Sequence, residues 1–434
     1  MNNNLPRHDV ICIDMKSFYA SCEAVWRGLD PLTTKLVVVG DVNRNGSVVL
    51  AASPLMKTLY GIKTGSRLFE VRNICDTSII IAQARMAHYL TTSKYITTIF
   101  ERFVPLEAIH TYSVDESWLT LDGTDKLWGT PWEASRRIQK TIYDETGLIA
   151  TIGIGDNKFL AKFVLDVYGK EQGIAEARYE TVETLFHHLP IQDMWGVGPN
   201  LTRRLQNMNI LTIGDLAHAQ VKNMKNEFGI IGEQLWFQAW GIDKQPVFYS
   251  KHAPPPTAFG FFNDDLPNEG IKSVGRGVTL LRDYKEPTDI LQVINDLTHE
   301  VCEILRRRHI EAKTIHLSIT YSRHTALDGF SRQVSLTHAR TNDPKDVYDQ
   351  CMTLFYQFHH PRAIVRKVRV SVSGLAPEQL TLGIDRRKAQ RQKLLQIMDK
   401  LNDKLGKGSI RTGSSYLSSS IAPTRVHKIG GHTK

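Results

Sequence analysis

The chain has 434 residues, 41% of them hydrophobic and 23% charged, with a formal net charge of +9. This length exceeds one compact core and predicts two to four domains, while the ordinary composition excludes disordered and collagen-like classes. Its 5 cysteines lack CxxC spacing, which argues against a disulfide framework and a zinc site. No apolar run is long enough to span a bilayer, and MNNNLPRHDV has no signal-peptide pattern, so an intracellular, cytoplasmic protein is expected.

Residues 9–15 (DVICIDM) and 35–40 (KLVVVG) read as buried strands. The stretch 46–52 (GSVVLAA) pairs with the second of them through the turn at Asn43 to Gly46, so a mixed sheet is expected to begin here. Helices are predicted over 17–25, 85–103 and 132–145, and strands over 108–113 and 116–121 with Asp115 and Glu116 at their hairpin. ATIGIG at 150–155 reads as a further strand and 157–168 as the helix after it. Alternating strands and helices predict an α/β domain over roughly residues 1–175.

From about 180 to 245 the pattern becomes short helices. Gly196, Val197 and Gly198 form a tight turn and Pro199 suits a first helical position, which resembles a helix-hairpin-helix whose backbone N–H groups can approach a phosphate. The Pro254, Pro255, Pro256 run marks a stiff linker. Beyond it, strand-like runs alternate with amphipathic helices at 288–308 and 344–358, giving an α+β module to about 375, then a helical stretch at 385–405 and an end expected to be disordered. Basic clusters at Arg306 to Arg308, at Arg366, Lys367 and Arg369, and at Arg386 to Lys388 suit a phosphate backbone, although each alone could be a solvated face.

The chemistry concentrates in two acidic clusters, VICIDMKSFYASCE with Asp14 and IHTYSVDESWLTLD with Asp115 and Glu116. Carboxylates inside apolar strands cost several kcal/mol unless a cation pairs with them. Three converging carboxylates suit Mg²⁺, and two such ions about 4 Å apart are the usual means of displacing pyrophosphate from a nucleotide. Phe18 and Tyr19 follow Asp14, so an aromatic ring can stand where a nucleotide sugar would lie.

DMKSFYASCE, TYSVDESWL, GIGDNKFLAK and WGVG occur in the order seen in Y-family (translesion) DNA polymerases, and from about residue 9 to 385 the chain resembles their UmuC-like, ImpB/MucB/SamB branch. The resemblance implies a right-hand polymerase of mixed α/β and α+β domains: palm and fingers at 1–178, a helix-hairpin-helix thumb at 179–250, a linker at 251–260, a little finger at 261–376 and a tail at 377–434. It implies that Asp14, Asp115, Glu116 and the Met15 carbonyl bind two Mg²⁺ ions, with Mn²⁺ as a substitute, and that Tyr19 is the steric gate beside Phe18. Lys16 stands where some relatives have a carboxylate, and Leu55 and Thr58 stand where many have a Tyr and an Arg on the triphosphate. Lys57 and Lys170 are the candidates for that grip, the latter if one residue is inserted before it. Lys158 is expected near the acidic hairpin and Lys162 on a solvated face.

Gly196, Gly198 and Arg276 are the candidate DNA contacts. Gln379, Leu380, Leu382 and Ile384 resemble a sliding-clamp peptide, with strand extension as the alternative. Primer-template DNA, dNTPs, the clamp and a UmuD-like or recombinase partner in the SOS response are the implied partners. A catalytically silent DNA-binding subunit and a metal-dependent nuclease remain alternatives.

Overall fold

The computed structural model describes residues 5–248, 271–337, 339–378 and 386–433. The proline-rich linker and the clamp-like peptide Gln379, Leu380, Leu382 and Ile384 therefore lie outside the described residues. The chain divides into two compact units, Met1–Phe262 and Asn263–Lys434.

The first unit opens with β1 (Val10–Met15), α1 (Phe18–Trp26), β2 (Leu36–Val39), β3 (Val49–Ala52), α2 (Pro54–Tyr60), α3 (Leu68–Arg72), β4 (Ile80–Gln83) and α4 (Met86–Phe100). It continues with β5 (Ile109–Thr111), β6 (Glu116–Thr120), α5 (Asp125–Trp128), α6 (Pro131–Thr146), β7 (Ala150–Gly155), α7 (Lys158–Val164), α8 (Lys170–Gln172) and β8 (Ile174–Ala177). These strands make two sheets instead of the one expected at the start of the chain: β5-β6-β1-β7-β8 and β3-β2-β4. The reason lies in pairing. Both edges of β1 are taken by antiparallel partners, β6 and β7, so β2 and β3 pair elsewhere and gain β4, which the sequence pattern did not reveal, in parallel.

Two glycines set how closely α7 lies on the larger sheet. A Cβ on Gly153 would collide with the Ala161 carbonyl oxygen, and one on Gly155 with the Ala161 amide nitrogen. Every residue of α7 is buried, so no face of this helix is solvated. Past Val164 the helix widens into a π turn, Leu165–Gly169, before α8. A π turn takes up one extra residue compared with regular α-helix.

Short helices come next: α9 (Val182–Phe186), α10 (Pro199–Asn207), α11 (Ile213–His218), α12 (Val221–Phe228) and α13 (Ile230–Ala239). They share a core of Phe186, Ile191, Leu205, Ile213, Leu216 and Met224 with Phe159 and Phe163 of α7. Gly196 has φ +91°, a left-handed conformation that favours glycine, and turns the chain into the Pro199 end of α10.

The second unit contains β9 (Ser273–Tyr284), α14 (Pro287–Arg307), β10 (Ile310–Glu311), β11 (Thr314–Tyr321), β12 (Phe330–Ser335), α15 (Pro344–Phe358), β13 (Val365–Ser373) and β14 (Ala376–Pro377). Its antiparallel sheet, ordered β12-β11-β13-β9, packs Ile315, Leu317, Val368 and Val370 against Ile294, Leu297 and Val301 of α14. Then come α16 (Arg386–Leu405), α17 (Ala422–Arg425), β15 (Lys428–Ile429) and β16 (His432–Thr433). The end expected to be disordered is thus folded back on this unit. Buried Asp296 accepts hydrogen bonds from Ser420 Oγ at 2.8 Å and Ile421 N at 2.7 Å, and Arg425 pairs with Glu300. Arg306 and Arg307 pair with Asp399 and Asp403 of α16, so these two hold the tail instead of facing solvent.

Candidate active site

The acidic end of the larger sheet is assembled by register. Asp14 in β1 stands directly opposite Glu116 in β6, so the two side chains share a face, with Cys12 and Trp118 next along it. Asp115 precedes β6 in the turn, and its carbonyl accepts the Met15 N–H at 3.0 Å, which fastens the turn to the end of β1. Ser113 Oγ donates to the Asp115 carboxylate at 2.5 Å. Carboxylate oxygens of Asp14, Glu116 and Asp166 lie within 4.8 Å of one another. Asp166, which sequence reasoning did not single out, comes from the π turn; its only sequence signal is the spacing between two lysines, four residues from each.

Lysines interleave the acids. Lys162 lies 5% exposed beneath the sheet end and bonds Glu116 and, at 2.9 Å, Asp166. Lys170 reaches Asp14 at 3.3 Å and Asp166 at 2.8 Å. Neither lysine is where it was expected, and both are buried. Lys162 sits at the acids, while the Lys158 ammonium donates to the Pro246 carbonyl at 2.7 Å. On a helix buried all round, the i, i+4 pair cannot present a solvated face.

Burial dominates the titration of Asp14 and Asp115. It pushes the Asp14 carboxyl up to about 7 against the pull of Lys170, with Glu116 and Asp115 adding to the rise. Asp115 is likewise raised, burial outweighing the Ser113 hydrogen bond. For Lys162 burial works the other way, but Cys12, Glu116 and Asp166 outweigh it and hold the ammonium above the ordinary lysine range. Closely set, half-buried carboxylate oxygens, with Asp14 and Asp115 held back from ionising, are a donor set that fits a hard divalent cation.

On the other side of Asp14, Ser17 adopts a left-handed backbone, φ 51°, uncommon for a residue other than glycine. This turn starts α1 and sets Phe18 into the core and Tyr19 beside the acids. The Tyr19 ring stacks on Tyr89 with centroids 4.5 Å apart, and its phenol is raised to about 12 by burial and then by Asp115. Tyr89 is itself anchored, donating to fully buried Glu23 at 2.8 Å, which also binds Arg85 and Arg27. Lys57 donates to Ser17 Oγ at 2.9 Å, and its pKa is lowered by burial and by Lys170 and Lys16, although Asp14 opposes. The structure thus brings Asp14, Met15, Phe18, Tyr19, Lys57, Asp115, Glu116 and Lys170 into one neighbourhood.

The remaining candidates belong to other elements, two at the start of α10 and one in the second unit. Gly196 and Gly198 are exposed at the start of α10. Arg276 pairs in register with buried Val370, so it lies on the helix-covered face of its sheet, with Nε 3.9 Å from Glu300. The opposite face carries His316, Ser318, Thr320, Lys367 and Arg369, with Gly277 opposite Arg369. These exposed cations were in a cluster noted from sequence, but only register separates them from Arg276.

Comparison with known proteins agrees in all parts of the chain. The model of the impB/mucB/samB family matches residues 13–166, that of the impB/mucB/samB family C-terminal domain matches 271–382, and that of the DNA polymerase-iota thumb domain matches 192–243. UvrX of Bacillus subtilis (strain 168), named as a UV-damage repair protein, is 39% identical over 99% of this chain and 99% of its own length. DNA polymerase IV 2 of Halalkalibacterium halodurans is 35% identical over 98% of this chain and 99% of its own. Among solved structures, the Y-family DNA polymerase chimera Dbh-Dpo4(243-245)-Dbh shares the fold, with a TM-score of 0.66 at 21% identity, covering 85% of this chain and 100% of that one. The chain belongs to the impB/mucB/samB family and is a Y-family DNA polymerase of the translesion type. It has a helix-hairpin-helix thumb and a C-terminal little finger. Among the described residues no helix is long and apolar enough to cross a membrane.

Proposed function

We propose that Asp14, Asp115 and Glu116, with the Met15 carbonyl, hold the divalent cations at which this polymerase adds a deoxynucleotide to a primer 3′-end opposite damaged template, and that Mg²⁺ is the resident ion. The observation that carries this is the cross-strand pair Asp14 and Glu116, whose oxygens lie within 4.8 Å of each other and of Asp166. Divalent ions bound to such an oxygen set lower the pKa of the primer 3′-hydroxyl and neutralise charge on the phosphates. In the reaction the primer 3′-hydroxyl gives up its proton to water, its oxygen bonds to the α-phosphorus, the bridge to the β-phosphate breaks, and pyrophosphate leaves with the electron pair.

The side chains divide the remaining work. Lys170 and Lys57 bind the triphosphate, supplying charge where negative charge gathers on the leaving group. Lys57 takes over from the Tyr and Arg that Leu55 and Thr58 replace. Tyr19, braced on Tyr89, excludes a 2′-hydroxyl. Lys162 and Asp166 orient Glu116 and Lys170. The exposed Gly196 and Gly198 amides and the cations Lys367 and Arg369 bind the DNA backbone, and the protein acts in the cytoplasm. The peptide with Gln379, Leu380, Leu382 and Ile384 docks on the sliding clamp; deleting 379–384 should remove clamp-stimulated synthesis and spare distributive synthesis.

The deciding experiment is primer extension by wild type and Asp115→Ala on undamaged and abasic templates, with Mg²⁺, Mn²⁺ or Ca²⁺. Extension by wild type with Mg²⁺ and its loss in the variant are expected. Shortening of the primer would indicate a nuclease, and an inert wild type, even with clamp, would indicate a DNA-binding subunit.

A further inference from the structure

A second cationic feature adjoins the acids. A cleft of about 410 Å³ is lined by Lys16, Arg136, Lys140, Lys170, Thr151 and Gln139, among others, with Glu171 the acid on its wall. It is continuous with the carboxylate cluster. Lys170 belongs to both, its Nζ 3.3 Å from Asp14, and Thr151 stands opposite Asp14 in the β1–β7 ladder. Lys16 extends from the end of β1, its amide held by the Ile149 carbonyl at 2.8 Å. Arg136 and Lys140 sit one turn apart on α6, which contributes no carboxylate to the cluster. Lys140 is also paired with Asp144 at 2.6 Å.

We infer that this cleft is a subsite for the pyrophosphate product, an inference that rests on the polymerase reading above. Lys16, Arg136, Lys140 and Lys170 line the concavity with Glu171 as the acid among them, and although Lys140 and Lys170 have acid partners nearby, a concave wall of one sign attracts a polyanion. The reaction makes such an anion one lysine away. Once the α–β bridge breaks, pyrophosphate carries the negative charge of its own phosphates beside Lys170, the lysine that pairs with Asp14, and the cations on α6 draw it away from the acids that repel it. The space suits a diphosphate with part of its hydration, since a liquid water takes about 30 Å³. Lys16, which replaces a carboxylate of some relatives, acquires a purpose: it changes the sign of the wall at the point where the product leaves.

The test is product inhibition by added inorganic pyrophosphate, measured for wild type, Arg136→Ala, Lys140→Ala and the double variant, alongside the KM for dNTP. The two cations are exposed, so each exposed contact is worth a factor of a few and the double variant should raise the inhibition constant for pyrophosphate about three- to tenfold more than it raises the KM for dNTP. Arg136→Glu should enlarge the difference. Equal changes in both constants would assign the cleft to the incoming triphosphate and overturn the inference. So would an unchanged inhibition constant in the double variant. Failure of the polymerase reading itself would be distinct, because wild type would then extend no primer.

Discussion

Lys162 and Glu116 form an ion pair beneath the acidic end of the sheet, with the lysine side chain 6% and the glutamate 17% exposed. The ammonium also bonds Asp166, so one buried cation balances two of the carboxylates that crowd Asp14. Removing one partner of such a group leaves uncompensated buried charge, typically at a cost of about 3 kcal/mol. Lys162→Ala should therefore lower the melting temperature of the metal-free protein by roughly 6–10 °C. Millimolar Mg²⁺ should recover more of this loss than the shift it gives wild type; equal melting temperatures without metal would refute the role.

Gly153→Ala should be severe. The new Cβ meets the Ala161 backbone oxygen, which cannot rotate away, so α7 must lift from the sheet and carry Lys162 and Asp166 with it. Overpacking of this kind costs about 1–3 kcal/mol or more. Calorimetry and primer extension together check it, and a variant with wild-type stability and rate would contradict the close approach.

Tyr19→Ala should leave the fold intact and admit ribonucleotides. The ring stacks on Tyr89 without filling the core, so its removal opens space at the sugar position. Single-nucleotide incorporation with matched dNTP and rNTP reads the ratio, expected to fall by about 10²-fold. An unchanged ratio would remove the gate.

Glu23 supplies a pH signature. Burial raises its pKa, but hydrogen bonds from Arg85, Arg27 and Tyr89 outweigh this and hold it below the ordinary carboxylate value. A carboxyl with a depressed folded-state pKa contributes stability above its unfolded value, about 4.3, and loses that contribution as pH falls through the folded value. Glu23→Gln should thus be less stable at pH 7, by roughly 2–3 kcal/mol because Arg27 and Arg85 are 28% and 32% exposed. The difference from wild type should shrink below pH 4. Thermal melts across pH 3–7 give the comparison, and a gap that stays constant would exclude the mechanism.

Deleting residues 413–433 should destabilise the second unit. Buried Asp296 would keep Gln292 but lose Ser420, Ile421 and Ala422 as donors. Unsatisfied buried acceptors cost about 1–3 kcal/mol. Proteolysis rates of full-length and truncated protein measure the change; matching rates would mean that the tail adds nothing.

The sequence by itself determined the local elements and the chemistry's location. Apolar runs ending in Asp14 and Glu116, the β7 strand ATIGIG and the alternating patterns of β11 and β13 were legible because their periods depend on neighbours along the chain. Tertiary structure alone decided which strands share a sheet, since pairing of β1 with β6 and β7 is a choice among edges that local pattern cannot rank. It decided too that Lys162 is buried and Lys170 reaches Asp14, because helix burial depends on the elements packed around α7 and the π turn rotates the residues beyond it. Register placed Arg276 on the covered face and Lys367 and Arg369 on the open one, a difference of one residue that flips a side chain across the sheet. The polar end expected to be disordered is held by the Arg425–Glu300 ion pair and by buried Asp296, partners more than a hundred residues away that no local window contains.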